Sequence, residues 1–403
     1  MMPSRMDRRL KIAGLLLAAI AAQRPPCLHA QAVTWGASAR GYEFVRIEHS
    51  PSVTRWDTEF STFRLTTNVA AAPRIKLESH AIVSLLSPPF SVASRVATSD
   101  TFHYLPLQHS ILNENSADWT FGVDRLNLQL DLNPVRIIVG RQPITWGVSY
   151  FWPVKDLFAP FAPERLDRDY KAGVDAVRFT IPLGSYSEID VVGASLGPAP
   201  SRNWAAGTLA RIHAGAVDFG IMGGKFHRDT VAGGFFTSSL RGTGFRGELT
   251  WTHSGDPQDL LRDRAQFWRG TLGADRQLTP AVTLTLELAW NGFGVADPSQ
   301  YFSLIEADRV LRGEVNGLGR IYAGAAATWQ FHPLWAFANT VIANGNDPSA
   351  LWVPALTWST GNNSDILFGA QVSVGSRPGP DMVPRSEYGS IPANIFVGFK
   401  KYF

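Results

Sequence analysis

Long runs of apolar–polar alternation with a period of two recur from about residue 34 to the end of this chain. Val282, Leu284, Leu286, Leu288 and Trp290 alternate with Thr283, Thr285 and Glu287. Leu126, Leu128, Leu130 and Leu132 alternate with Arg125, Asn127, Gln129 and Asp131, and Ile366, Phe368, Ala370, Val372 and Val374 with Leu367, Gly369, Gln371 and Ser373. Ile75, Leu77, Ala81, Val83 and Leu85 alternate in the same way with Lys76, Glu78 and His80. A period of two places successive side chains on opposite faces of a β-strand. Most runs are about 8 to 13 residues, the reach of a tilted strand across a bilayer, whereas strands of soluble sheets are nearer 5 or 6. Hydrocarbon accepts strands only in a closed barrel, because an open sheet edge leaves backbone groups without partners. Beyond the N-terminus no apolar stretch is long enough for a membrane helix. The expected fold is therefore all-β, a transmembrane antiparallel barrel.

Strands are expected near 34–48, 57–70, 74–86, 119–132, 135–141, 173–182, 187–196, 204–213, 217–226, 231–240, 244–252, 266–277, 281–290, 320–331, 334–342, 350–360, 365–375 and 391–403. That makes 18, or 16 if the weakly alternating runs 204–213 and 231–240 are miscounted. Tight links such as Ala71-Ala72-Pro73, Asn133-Pro134 and His332-Pro333 follow even-numbered strands. The long links, near 87–118, 142–172, 253–265, 291–319 and 376–390, follow odd-numbered ones. Long loops at one end and short turns at the other characterise bacterial outer-membrane barrels. Trp290, Phe331, Trp335, Trp352 and Tyr402 fall at strand ends, where interfacial aromatic girdles sit.

The N-terminus reads as an export signal. Arg5, Arg8, Arg9 and Lys11 precede a short apolar run, Ile12 to Ala22, and cleavage is expected after Ala30 or Ala32. Residues 33–403 then form a single barrel domain. Arg24-Pro25-Pro26 before Cys27 is no lipobox, so Cys27 leaves with the signal and the exported chain has no thiol. The signal holds a net +4, which leaves −1 for the remainder and removes any case for nucleic-acid binding.

Residues 140–178 differ from the rest: they hold Trp146, Tyr150, Phe151, Trp152, Phe158 and Phe161, with Pro153, Pro160 and Pro163. So many large rings are costly in water, so a loop that folds back into the lumen is expected over 142–172, as a constriction or a plug. Its charged residues are Lys155, Asp156, Arg165, Asp167, Arg168, Asp169 and Lys171. Arg141, Asp156, Asp169 and Asp175 are candidates for ion pairs that pin it. The pattern Gly140-Arg141-Gln142, Trp146-Gly147, Phe151 to Pro160 and Gly173-Val174-Asp175 resembles porin and alginate-export-like outer-membrane barrels, including uncharacterised proteins with a GRQ…WG…P-x-x-D-x-F-x-P signature. The likeness is confined to this segment. It implies an 18-stranded channel and supplies no solute. The final strand resembles the recognition strand read by the barrel-assembly machinery: Phe403 ends the chain, Ile395, Val397 and Phe399 are in phase, and Lys401 departs from the pattern.

With apolar faces turned to lipid, Arg64, Lys76, Arg125, Arg136 and Arg178 face the lumen, with Glu78 and Asp131 opposing them. A basic ladder in a low-dielectric wall favours anions, unless Asp167 and Asp169 neutralise it. No His-x-Ser lies on one strand face and no His/Cys cluster has ligand spacing, so neither an enzyme, a metal nor a cofactor is expected. Two readings stand: a passive outer-membrane channel for small polar, anionic or saccharide solutes, and a closed barrel for surface polysaccharide binding or assembly. The expected partners are the lipid bilayer, the assembly machinery and the solute. Oligomeric state is not readable from the pattern.

Overall fold

The computed structural model describes residues 33–47, 57–86, 102–114, 117–195, 204–255, 264–379 and 383–403. The export signal and its cleavage sites lie outside the described residues. The first strands are β1 (Val33–Arg46), β2 (Asp57–Ala72), β3 (Ile75–Leu86), β4 (Gln108–Glu114), β5 (Ala117–Asp131) and β6 (Arg136–Gln142). Then come β7 (Val174–Pro182), β8 (Glu188–Ser195), β9 (Trp204–Ala214), β10 (Val217–Phe226), β11 (Asp229–Leu240), β12 (Thr243–His253) and β13 (Gln266–Thr279). The last are β14 (Val282–Asn291), β15 (Ile321–His332), β16 (Trp335–Asn344), β17 (Ser349–Gly361), β18 (Ser364–Val374) and β19 (Asn394–Tyr402).

Each strand except β4 pairs antiparallel with its neighbours in sequence, β3 pairs directly with β5, and β19 pairs with β1. The result is a closed barrel of 18 strands with β4 as an addition. Closure satisfies every strand edge, which is what lets an apolar surface face hydrocarbon. The outward face is apolar: Leu249, Leu272, Leu286, Leu288, Trp290 and Trp352 are exposed there. Ile395, Val397 and Phe399 of the last strand also point outward, and Phe403 is exposed. Tyr402 departs from the girdle expectation, because its hydroxyl turns inward to Asp169.

Within the expected long link 87–118, β4 explains a gap in the wall. β6 is short and pairs with β5 only over Leu126–Asp131. Beyond Gln142 the chain leaves the wall. β4 takes the vacated edge of β5, pairing with Ala117–Gly122. The residues before it close the seam to β7: Asp175 N donates to Phe102 O at 2.8 Å and Val123 N to Leu107 O at 3.0 Å. Arg141 binds both sides of the seam, through Asp175 at 2.7 Å and the carbonyls of Val123 and Leu105.

The lumen is not polar all round. On β8–β11 the inward side chains include Val192, Ala194, Ala205, Leu209, Met222, Phe226 and Val231, all buried in one apolar cluster with residues of the 143–173 segment. This is why β9 and β11 alternate weakly: both of their faces are apolar or small. The long loop after β14 also carries two short helices, α1 (Tyr301–Ile305) and α2 (Asp308–Leu311).

Candidate functional site: the in-folded segment

The segment between β6 and β7 folds into the lumen, as its rings require. Its first leg runs along the wall from β8 to β15. Trp146 is buried, its indole N–H donates to Asp190 of β8 at 2.8 Å, and its ring meets Phe158 edge-on at 5.1 Å. Two wall carboxylates then clasp the backbone. Glu248 on β12 accepts from the N–H groups of Val148, Ser149 and Lys155. Glu287 on β14 accepts from those of Tyr150, Phe151 and Trp152, at 2.7, 3.1 and 2.9 Å. A carboxylate that collects consecutive N–H groups is a strong, charge-assisted anchor. Close approach of the rings depends on two wall glycines. A Cβ at Gly324 would stand 2.4 Å from the Phe151 ring, and one at Gly207 would stand 3.0 Å from the Trp146 ring. Trp152 packs on Tyr322 of β15 at 5.5 Å between centroids.

The second leg returns toward β10 through Lys155 to Phe158, and residues 159–166 then pass to the opposite wall. There Asp167 pairs with Arg40 of β1, and Asp169 accepts from Lys400 at 2.8 Å and Tyr402 at 2.5 Å on β19. Lys171 pairs with Asp156 within the segment, joining its second leg to its end, and Arg125 of β5 donates to the Lys171 carbonyl. Burial raises the Asp169 carboxyl, but its bonds to Lys400 and Tyr402 prevail and hold it below the usual range.

Every lumen-wall cation named from sequence except Lys76 has a carboxylate partner. Arg64 binds Asp124 at 2.6 Å, and Arg125 lies 3.2 Å from the same carboxylate. A register shift in β5 at this point turns both Asp124 and Arg125 inward. Glu78 binds His80 and Asn127, Arg136 binds Asp131 at 2.7 Å, and Arg178 binds Asp190 at 2.7 Å. The expected basic ladder, Lys76 apart, is thus matched by acids of the wall itself, while Asp167 pairs with Arg40 outside it. Two further cations without an ion pair lie on the passing segment. Arg168 donates only to backbone carbonyls, of Tyr150 and Pro163 among others, and half-buried Arg165 stands over the Phe161 ring at 5.1 Å with no ion pair among the described residues.

Sequence reasoning named Arg141, Asp156, Asp169 and Asp175 as pinning residues, and all four are in ion pairs. It did not find Arg40, Asp124, Asp190, Glu248, Glu287 or Lys400. The available signal was a lone Glu at an inward position among Thr, Ala and Leu, as at Glu287.

Lys155 is fully buried, with its ammonium 3.5 Å above the Phe235 ring and no hydrogen-bond partner. Burial pushes it down to about 7, against the pull of Glu248 and Asp156 and with that of Arg211. Between about pH 7 and the ordinary lysine value the seated segment therefore binds fewer protons than a released one. Raising the pH across that window strengthens the seat by up to a few kcal/mol, and below it the full penalty applies. Lys155→Met is expected to raise thermal stability at neutral pH and to flatten the rise between pH 7 and 10 that the parent shows. Equal pH slopes in melting experiments would count against this.

No family model and no curated protein sequence matches the chain. Solved structures do. OccAB1 from Acinetobacter baumannii has a TM-score of 0.58 at 8% identity, with 92% of this chain and 96% of that one covered. A BenF-like porin from Pseudomonas fluorescens gives 0.56 at 9%, with 93% and 99% covered. The fold is that of an outer-membrane porin. The outer membrane protein opdK from Pseudomonas aeruginosa is similar at 0.55 and 10%, with 92% and 98% covered. At such identities the porin likeness concerns the backbone, and the chemistry of the lumen has to be read from this chain's own side chains.

Proposed function

We propose that this chain is a porin-type channel of the outer membrane in which residues 143–173 constrict a passage for small polar solutes, with a mild preference for anions. The closed barrel with an apolar outside supports the membrane setting. The observation that carries the solute reading is on the passing segment: among the described residues Arg165 and Arg168 form no ion pair, while almost every wall cation named from sequence does. Two guanidiniums outside any ion pair in the lumen raise local anion concentration more than a matched ladder does.

Single-channel recording in a planar bilayer tests this. Deleting residues 150–168 is expected to raise conductance several-fold. The reversal potential in a potassium chloride gradient is expected to show chloride preference, reduced in Arg165→Gln. Unchanged conductance after the deletion would dismiss the constriction, and cation preference would dismiss the anion reading.

The two apolar clusters inside the lumen favour a second reading. One lies on β8–β11, and the other joins Phe151 and Trp152 to Tyr42, Ile342, Leu351 and Phe396. They would suit a sealed barrel that binds polysaccharide at its outer loops. An absence of current from folded protein would favour it.

A further inference from the structure

Residues 156–171 of the in-folded segment turn back on themselves, and one side-chain contact closes the turn. Lys171 Nζ meets the Asp156 carboxyl, with the two side chains only 8 and 4% exposed. Their chain neighbours are apolar: Leu157 and Phe158 beside Asp156 are buried, and Ala172 beside Lys171 packs on the same cluster. A buried ion pair repays the loss of water only when further hydrogen bonds satisfy its remaining atoms. The second carboxyl oxygen of Asp156, Oδ1, is buried and has no hydrogen-bond partner among the described residues.

Fixed backbone presents the two groups to each other. Asp156 sits in a turn, its N–H donating to Pro153 O at 3.0 Å, and Glu248 accepts from the N–H of Lys155 before it at 3.0 Å. Gly147 makes room for this turn, since a Cβ there would stand 2.4 Å from that of Pro153 and 3.3 Å from that of Asp156. At the other end Arg125 donates to the Lys171 carbonyl, and Gly173 N–H donates to Asp124 at 3.1 Å. Well-oriented groups in one molecule can react as though at about 10⁵–10⁸ M. Burial raises the Asp156 carboxyl and lowers the Lys171 amine, in each case against the pull of the other. Glu248 adds to the rise and Arg125 to the fall. Passing the proton from nitrogen to carboxyl removes both buried charges and leaves a free amine facing a carboxylic acid, the pair that condenses to an amide.

We propose that Lys171 and Asp156 join in an isopeptide bond, which locks the second leg of the in-folded segment to its end. Lys171 Nζ attacks Asp156 Cγ; the new C–N bond forms, the C–OH bond breaks, and the hydroxyl leaves with one amine proton as water. No oxidant or other co-reactant takes part. The product replaces two buried ionisable groups by one neutral amide, in a site closed to the water that would hydrolyse it. With a single cysteine the chain has no disulfide of its own to do this. The bond goes beyond the channel reading and holds for an open or a sealed barrel alike.

Trypsin digestion and mass spectrometry of the full chain, purified folded from membranes in detergent, test this. Trypsin cuts after Lys155, Arg165, Arg168 and Arg178. The expected product is 156–165 joined to 169–178, uncut at Lys171 and lighter by one water than the two peptides together. Lys171→Arg, which keeps the charge but has no amine to condense, and Asp156→Ala are each expected to give no joined product. Parent chain made as unfolded aggregates and dissolved in urea is expected to give the two peptides apart, and the joined product only after refolding in detergent. Separate peptides from the folded parent, with cleavage after Lys171, would overturn the proposal and leave an ordinary buried ion pair. Equal joining in chain that has never folded would overturn it too, because the seated segment would then not be what drives the condensation.

Discussion

Replacing both clasping glutamates, as Glu248→Leu with Glu287→Leu, is expected to release the in-folded segment and raise single-channel conductance toward that of the 150–168 deletion. Each carboxylate accepts from three backbone N–H groups of the segment. A buried donor left unsatisfied costs about 1–3 kcal/mol. Losing both clasps therefore removes several kcal/mol from the seat, even after water reaches some of the freed groups. The apolar contacts of Trp146 and Phe158 remain, so the first leg should stay near β8–β10 while residues 148–155 come away. Either single substitution should give an intermediate effect, because the two clasps hold adjacent stretches. Conductance and the exchange rates of the amides from 148 to 155 are the two measurements. Unchanged protection of those amides in the double variant would show that ring packing, not the carboxylates, seats the loop.

Arg141→Met is expected to be the most destabilising single change in the wall. The Arg141 side chain is buried and binds Asp175 through two nitrogens, at 2.7 and 2.8 Å, together with the carbonyls of Val123 and Leu105. Among the described residues it is the one side chain that ties β5, β7 and the 102–107 stretch at the seam where β6 ends. Removing one partner of a buried pair costs about 3–5 kcal/mol, because the other charge is left uncompensated. Arg141→Lys should recover little, since an ammonium cannot reproduce the planar fork that reaches four acceptors. The double change Arg141→Met with Asp175→Leu should recover much of the loss, because no buried charge is then stranded. Melting temperatures of these three variants and of Asp175→Leu alone check this. Loss in the double equal to the sum of the two singles would mean that the pair is not coupled and that the seam holds by other contacts.

Much of the barrel could be read before any coordinates. Leu126, Leu128 and Leu130 against Arg125, Asn127 and Gln129 give a strand with two unlike faces, and the structure puts Leu126 and Leu128 outside and Arg125 and Asn127 inside. The in-folding of 142–172 was legible for the same reason, since so many large rings need burial. β4 was not legible. Its pairing is secured by the absence of β6 from the upper wall, a vacancy that exists only once the neighbouring loop has turned inward. β9 and β11 were hard to count because their inner faces serve a core that the loop itself completes.

Chain-local chemistry decided most of the strands, the closed topology and which loop goes inside, because all of these follow from where side chains along one segment must put their apolar area. Which charges meet was settled only by the folded barrel. Arg40 and Asp167 are 127 residues apart, and Tyr150 and Glu287 are 137 apart. Partners so distant in sequence leave no periodic trace. Whether a lumen cation attracts a solute or is already paired depends on the position of the opposing carboxylate, and ring closure is what sets that position.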